Sequence, residues 1–553
     1  MLLEEIKNLI EGEVSASEAD LKLFSHDASI FEVKPELVVR PKNVNDIKKL
    51  VSFVSEKKVS QPNLSLTARA AGSDMTGGPL NESIILDFTV HLNRILEIGD
   101  DLPAGEAGYA IVEPGVYYRD FEKKTLEKNL LLPSYPASKR LCALGGMVAN
   151  NAGGEKSLYY GKTTDYVEEL NIVLSDGNEY LFGALNEQEL EAKKSLNTFE
   201  GEVYREMNEL VRSNRELIRS AKPKVSKNSA GYALWDIDNN GKFNLAKIFV
   251  GSQGTLGLIS KIKLKLVRPK KHSRLLVIFL KDLKLLGQLI NAVMVHKPES
   301  FESYDKHTLN LAFKFLPGLM KKMGGNFLSL GFRFLPDLWL VLTNGMPELV
   351  LIAEFSDDDE KEIIARANGA RYEVEAKFGV KTRIASSKSD AEKYWTIRRE
   401  SFNLLRQHVS GKRAAPFIDD IIIDPQKLPE FLPLLNKILD KYTGLIYTIA
   451  GHPGDGNFHI IPLMDLTDEN ARKIIPALSD EVYGLVLEYG GSITAEHNDG
   501  LIRTPYLEKM FGPEICALFE RTKQVFDPKN IFNPRKKVGG DLNYSIRHIK
   551  SDN

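Results

Sequence analysis

The chain has 553 residues, 43% of them hydrophobic, 27% charged and 9% aromatic, a mix that supports a large globular core and more than one domain. Lys and Arg total 73 against 75 Asp and Glu, a net charge of −2, so there is no cationic excess to displace counterions from a nucleic acid. Two cysteines, Cys142 and Cys516, cannot hold a four-cysteine iron–sulfur or zinc site and give no disulfide framework.

The first residues are acidic and lack a long apolar stretch of the secretory kind. With the low cysteine use, this predicts a cytoplasmic protein. No run of about 18 uncharged apolar residues occurs, so no transmembrane helix is predicted.

Residues 1–34 read as a short helix and a connector. Leu37-Val38-Val39-Arg40 is an apolar run closed by Pro41. Asn43 can cap a helix over Val44–Lys57, where Val44, Ile47, Leu50, Val51 and Val54 recur at helical spacing. An apolar run at Leu64–Leu66, a glycine-rich turn and the run Ile84-Ile85-Leu86 follow. This β–α–β alternation predicts α/β or α+β layering. Residues 35–268 hold most of the glycine-rich turns and form a first domain. Pro269-Lys270-Lys271 marks a boundary, and 269–538, with the run Leu275–Leu280 and amphipathic helices, form a second. Residues 539–553 are a tail. Residues 311–343 interleave Phe313, Phe315, Phe327, Phe332, Phe334 and Trp339 with Lys314, Lys321, Lys322 and Arg333. Two readings fit: a helical cap over the core, or a surface that docks on a partner or peripherally on the inner face of a membrane.

Three small-residue segments lie in the first domain. Arg69-Ala70-Ala71-Gly72-Ser73-Asp74-Met75-Thr76-Gly77-Gly78 lets backbone N–H groups approach an anion, with Ser73 and Thr76 adding hydroxyls. It is not GxGxxG and opens no helix, which argues against a dinucleotide fingerprint. The stretch Leu144–Gly154, followed by Tyr160-Gly161-Lys162-Thr163, permits a planar ligand to lie against backbone. The third segment is Gly251–Ile259. Together the three favour a nucleotide-type ligand over mere chain punctuation.

The second domain carries Ala450-Gly451-His452-Pro453-Gly454-Asp455-Gly456-Asn457-Phe458-His459-Ile460 between apolar runs. Asp455-Gly456 is a preferred two-residue hairpin turn. Folding about it opposes His452 and His459 on one face, so both imidazoles could reach one metal ion. Pro453 cannot donate to a ladder, which leaves a wider loop open. Glu496, in Ser492–Gly500, offers a carboxylate to complete a divalent site. On a regular strand Glu496 and His497 would face apart, while in a loop they can converge. Arg398, in Tyr394-Trp395-Thr396-Ile397-Arg398-Arg399-Glu400, and Arg503 are cations that suit a substrate carboxylate.

In this order, these segments resemble the flavin-binding domain of the vanillyl-alcohol oxidase/PCMH superfamily. The nearer likeness is to its D-lactate dehydrogenase and glycolate oxidase branch, the FAD-linked oxidases. It covers residues from about 24 to 538, including Phe24-Ser25-His26-Asp27-Ala28-Ser29, Pro35–Val39 and Phe526–Pro534. The resemblance implies an α+β fold: a PCMH-type FAD-binding domain, then a ferredoxin-like α+β substrate (cap) domain with a C-terminal helical segment. It implies FAD, with Arg69, Ala71, Gly72, Ser73, Asp74, Thr76 and Gly77 at the pyrophosphate. Pro136, Ser138, Gly145, Gly146, Asn150, Gly153 and Gly161 would line the isoalloxazine and ribityl chain, and Gly254, Gly257 and Ile259 would meet the adenine side. Ser73 stands where some relatives attach flavin through histidine, so non-covalent FAD is expected.

The resemblance further implies a divalent metal on His452, His459 and Glu496, with zinc, manganese and iron all suited to N/O ligands. His497 would be the base and Arg398 the grip on the substrate. Ala495 and Asn498 stand where the family places glycines beside the Glu-His pair. No lysine falls in Pro416–Asp420, where some relatives supply a second cation. The implied activity is oxidation of a D-2-hydroxy acid such as D-lactate or glycolate to the 2-oxo acid, by hydride transfer to flavin. Electrons would pass to an external quinone, iron–sulfur protein or soluble carrier. The competing readings are a non-redox transferase like alkyl-dihydroxyacetone-phosphate synthase and a non-enzymatic flavin- or metal-binding module. The transferases carry a multi-histidine run that this sequence lacks.

Overall fold

The structure is a computed structural model that describes residues 2–100, 107–306, 308–310, 345–408, 412–442 and 445–551. The aromatic and cationic stretch 311–343 lies outside the described residues. No helix among the described residues is long and apolar enough to cross a membrane.

Among the described residues the first domain is built on two larger sheets, with a small three-stranded one (Asp238–Asn239, Lys242–Asn244, Ala184–Leu185) beside them. Strands Leu37–Arg40, Ile84–Asp87 and Leu66–Arg69 pair in parallel, with Glu13–Ser15 added antiparallel at the edge. Leu37, Val38, Val39, Ile84, Ile85 and Leu86 are all buried, the two-sided burial expected of a covered parallel sheet. Helix Val44–Lys57 makes the crossover. Asn43 caps it as its sequence indicates, accepting from the N–H of Asn45 and Asp46, and Ile47, Leu50, Val51 and Val54 form its buried stripe. The second sheet is antiparallel and runs Ile95–Gly99, Gly108–Val112, Leu258–Leu266, Val167–Val173, Glu179–Phe182. Within the second small-residue segment, Leu144–Asn150 is a helix, ended by Asn151 in the left-handed region. Gly145 lets this helix sit on Pro114, since a Cβ there would come within 2.6 Å of the proline ring.

Among the described residues the second domain is built on an eight-stranded sheet. Its order is Lys381–Ile384, His272–Leu280, Leu349–Asp357, Ser300–Asp305, Ile446–His452, Asn457–Met464 and Arg413–Ala414, with Ile421–Ile422 also pairing to Asn457–Met464. Helices Leu286–Met294, Glu360–Phe378, Leu428–Asp440 and Glu469–Glu488 pack their apolar stripes on one face. On the other face Leu275, Val277, Tyr304, Val350 and Ile352 meet Tyr394, Trp395 and Ile397 of helix Lys388–His408. Sheet with helices on both faces gives the α+β architecture.

The chain then returns to the first domain. Helix Leu507–Phe526, kinked at Gly512 (φ 78°), buries Ile515, Phe519 and Phe526 in the core of that domain. Leu66 N–H donates to the Ile531 carbonyl at 2.7 Å and Asn533 N–H to Leu66 at 2.9 Å. In the C-terminal stretch helix Leu542–Arg547 is capped by Asp541, and Ile549 bridges to Phe31.

Candidate flavin cleft and cation site

Strand Leu66–Arg69 runs into the first glycine-rich loop, which turns at Gly72 and Gly77 with φ of 66° and 81°. Asp74 organises it. Its Oδ2 accepts from the N–H of Thr76 (3.0 Å) and Gly78 (2.8 Å) and from the Thr76 hydroxyl (2.7 Å), and its Oδ1 accepts from Asn150 Nδ2 (2.7 Å). The Arg69 guanidinium donates to the carbonyls of Phe24 and His26, so its charge is engaged by the N-terminal segment.

All three small-residue segments line one cleft of about 340 Å³. From the first come Arg69, Ala71, Gly72, Ser73 and Asp74; from the second Gly145, Gly146, Asn150 and Gly153, with Pro136 and Ser138 ahead of it; from the third Gly254, Gly257 and Ile259. The opposite wall is the second domain's Arg398, His452, His459, Glu496 and His497. A larger surface cleft of about 810 Å³, at Lys58, Gln61, Asn530 and Arg535, contains none of these residues. Three residues expected at the cofactor stand off the cleft. Thr76 is buried behind Asp74, Gly77 donates to Asp27, and Gly161 caps the helix Ser157–Tyr160 beside a separate polar pocket.

The hairpin takes the wider loop. His452 pairs with Asn457 and Ala450 with His459, so the turn is the four residues Pro453–Gly456. The histidines are diagonal rather than opposed, yet two residues of offset keep them on one face. Their Nε2 atoms are 3.2 Å apart, and His452 Nε2 is 3.6 Å from Glu496 Oε2. One donor atom from each of His452, His459 and Glu496 falls within 4.8 Å of the others. Nitrogen and oxygen ligands about 2.1 Å from a tetrahedral ion lie about 3.4 Å from one another, so this donor set fits a divalent cation.

Carboxylates hold each imidazole. Glu302 meets His452 Nδ1, and Asp419 lies 3.0 Å from His459 Nδ1 and 3.1 Å from His497 Nδ1. Lys227, reaching in from the first domain, is 2.7 Å from Glu496 Oε1 and 2.8 Å from Asp455. Burial opposes charge on His452, but Glu302 outweighs it and lifts the imidazole to about 9. Burial likewise opposes charge on His497, and Asp420 with Asp419 lifts it to about 9. For Glu496 burial favours the neutral acid, but Lys227 and His452 hold it well below the usual carboxylate range. Binding a divalent cation here would release imidazole protons.

Glu496 and His497 lie on a loop, which lets both face the cleft. Asp420 Oδ2 accepts from the N–H of Ala495, Glu496 and His497 at 2.7–2.9 Å. Asn498 takes a φ of 73°, which asparagine tolerates, and its amide donates to the carbonyls of Asn150 and Gly251. Arg503 is a correction. Its guanidinium is fully buried and donates to the carbonyls of Ile493, Asn498 and Asp419, so it braces this loop and presents nothing to a substrate. Arg398 does line the cleft, its Nε 3.1 Å from Glu302 Oε2, while Arg399 pairs with Glu155. Sequence reasoning missed Glu302, Asp419, Asp420 and Lys227. The Asp419-Asp420 pair, two acids in an apolar context, was the one local signal.

A small-residue cleft walled by a two-histidine, one-carboxylate cluster defines a two-domain cofactor protein of the flavin-dependent kind. Residues 35–181 match the FAD binding domain, and residues 269–537 match the C-terminal domain of FAD linked oxidases. The chain thus carries both domains of the FAD linked oxidases. It is 28% identical to the D-2-hydroxyglutarate dehydrogenase of Pseudomonas putida over 97% of this chain and 51% of that protein. It thus spans about half the length of that protein and of the D-2-hydroxyglutarate dehydrogenase of Escherichia coli. It is 26% identical to the glycolate oxidase subunit GlcD of Bacillus subtilis over 95% of this chain and 94% of that one. In fold it is similar to the 4-ethylphenol oxidase of Gulosibacter chungangensis, with a TM-score of 0.70 at 14% identity, over 98% of this chain and 97% of the other.

Proposed function

We propose that the protein is an FAD-dependent dehydrogenase of D-2-hydroxy acids that uses a divalent metal. One observation carries this reading: the small-residue segments of the first domain and the His452, His459 and Glu496 cluster of the second line the same cleft. Ser73 at the position of covalent attachment supports non-covalent FAD. Zinc, manganese or iron suits the donor set.

FAD, when bound, supplies the acceptor for the hydride from the substrate's C2. A divalent cation, when bound, supplies positive charge that favours the alkoxide form of the hydroxyl. Arg398 binds the substrate carboxylate. Its Nε is tied to Glu302, and its terminal nitrogens form the planar fork that matches a carboxylate. His497 in its neutral form takes the hydroxyl proton at Nε2, because its Nδ1 faces Asp419; with the imidazole lifted to about 9, that form grows as pH rises. The product is a 2-oxo acid, and an external quinone, iron–sulfur protein or soluble carrier reoxidises the flavin. Anaerobic mixing of the yellow protein with a panel of D- and L-2-hydroxy acids tests this. At least one D acid should bleach the flavin band faster than its L enantiomer, and an indifferent flavin across the panel refutes it.

A further inference from the structure

We propose that Glu302 is a positioning residue that locks the substrate-binding arginine and the cation site to each other. The proposal rests on the reading above of Arg398 and of the His452, His459 and Glu496 cluster. Glu302 lies in strand Ser300–Asp305, inside the sheet of the second domain, with 1% of its surface exposed. Strand alternation puts it on the same face as Tyr304, which packs against Tyr394, Trp395 and Ile397 of helix Lys388–His408. That helix carries Arg398. The neighbouring strand, Ile446–His452, carries His452. Glu302 therefore stands where the two elements converge.

Each of its oxygens has one job. Oε1 meets Nδ1 of His452, and Oε2 accepts from Nε of Arg398 at 3.1 Å. The first contact makes Nδ1 the donor, which leaves the Nε2 lone pair of His452 facing His459 and Glu496. The second fixes the plane of the guanidinium at its inner edge and leaves the fork at the cleft. A buried carboxylate is costly unless both oxygens are satisfied, and here a cation and an imidazole satisfy them. Glutamine has the same shape but one accepting oxygen. Its NH₂ group would face either the Arg398 Nε–H or the His452 Nδ1–H, so one contact must break. The geometry thus makes cation affinity and carboxylate grip depend on one side chain that the cleft itself does not expose.

The test uses flavin-loaded full-length protein. Zinc affinity is measured by equilibrium dialysis, and KM and kcat by anaerobic flavin reduction with the D-2-hydroxy acid that bleaches wild type fastest. Glu302→Gln should stay yellow, bind zinc about 10- to 100-fold more weakly, and at saturating zinc show KM raised by a larger factor than kcat is lowered. Arg398→Met should raise KM but bind zinc like wild type. The double variant E302Q/R398M leaves no guanidinium without a partner, so it reads zinc affinity even if the single variant folds poorly, and it should keep the zinc deficit. Wild-type zinc affinity in both variants that carry E302Q, or weakened zinc with an unchanged KM in E302Q, overturns the proposal. Wild-type protein that binds no zinc, manganese or iron overturns the cation reading itself, a distinguishable result.

Discussion

Replacing Asp419 by asparagine removes one accepting oxygen from beneath two imidazoles. Asp419 is fully buried, and its carboxylate lies 3.0 Å from His459 Nδ1 and 3.1 Å from His497 Nδ1. Burial would favour the neutral acid, but the two histidines hold Asp419 below the usual carboxylate range, so it is an anion at any assay pH near neutrality. The amide fills the same volume and can serve only one ring as acceptor. Removing a carboxylate that orients a metal-binding histidine weakens metal binding about 10- to 100-fold, or about 1–3 kcal/mol. His497, the proposed proton acceptor, loses its anchor in the same step, so turnover should fall even when zinc is saturating. Equilibrium dialysis with zinc and single-turnover flavin reduction measure the two effects, with the flavin absorbance as the control for folding. An Asp419→Asn protein that keeps both wild-type zinc affinity and wild-type turnover would refute the reasoning.

Two further outcomes follow from the same geometry. Burial lifts Glu354 from 4.5 to about 7, opposed by Lys156 and aided by Glu299 and Glu155. Between those values the folded protein holds a proton that the unfolded chain has released, so this group makes stability fall as pH rises through the window. The loss is on the order of 3 kcal/mol by pH 7. Denaturant midpoints at pH 5 and pH 7.5 should show that slope shrink in Glu354→Gln, and an unchanged slope speaks against the assignment. A methyl group at Gly153 would stand 2.9 Å from Ser157 Oγ and 3.1 Å from Glu496 Oε1, wedging the flavin-side loop from the cation site. Gly153→Ala should therefore stay yellow but bind zinc more weakly and turn over more slowly, and wild-type values for both would count against the close approach.

Much of this was legible because it is local. The cap at Asn43, the stripe of Val44–Lys57 and the apolar runs that become strands are set by neighbours within a few residues. The two histidines were legible because hairpin periodicity puts both on one face in either register. The register itself was not, since Pro453 belongs to a four-residue turn closed by Asp455 N–H to the His452 carbonyl and Gly456 N–H to the Pro453 carbonyl. Arg503 looked like a substrate cation because the carbonyl of Asp419, 84 residues away, leaves no local trace. Glu302 and His452 are likewise 150 residues apart, and the Asn533 amide that ties the C-terminal motif to Gly78 and Gln253 closes a still longer span. Such contacts follow from tertiary packing, and no periodicity announces them.

The convergence of flavin cleft and imidazole cluster is tested most directly by one comparison. Wild type and His459→Ala, each isolated with flavin bound, are mixed anaerobically with the D-2-hydroxy acid that bleaches wild type fastest while the flavin absorbance is followed by stopped flow. The account predicts rapid bleaching of the wild type and a variant that stays yellow. Equal rates in the two proteins would contradict it.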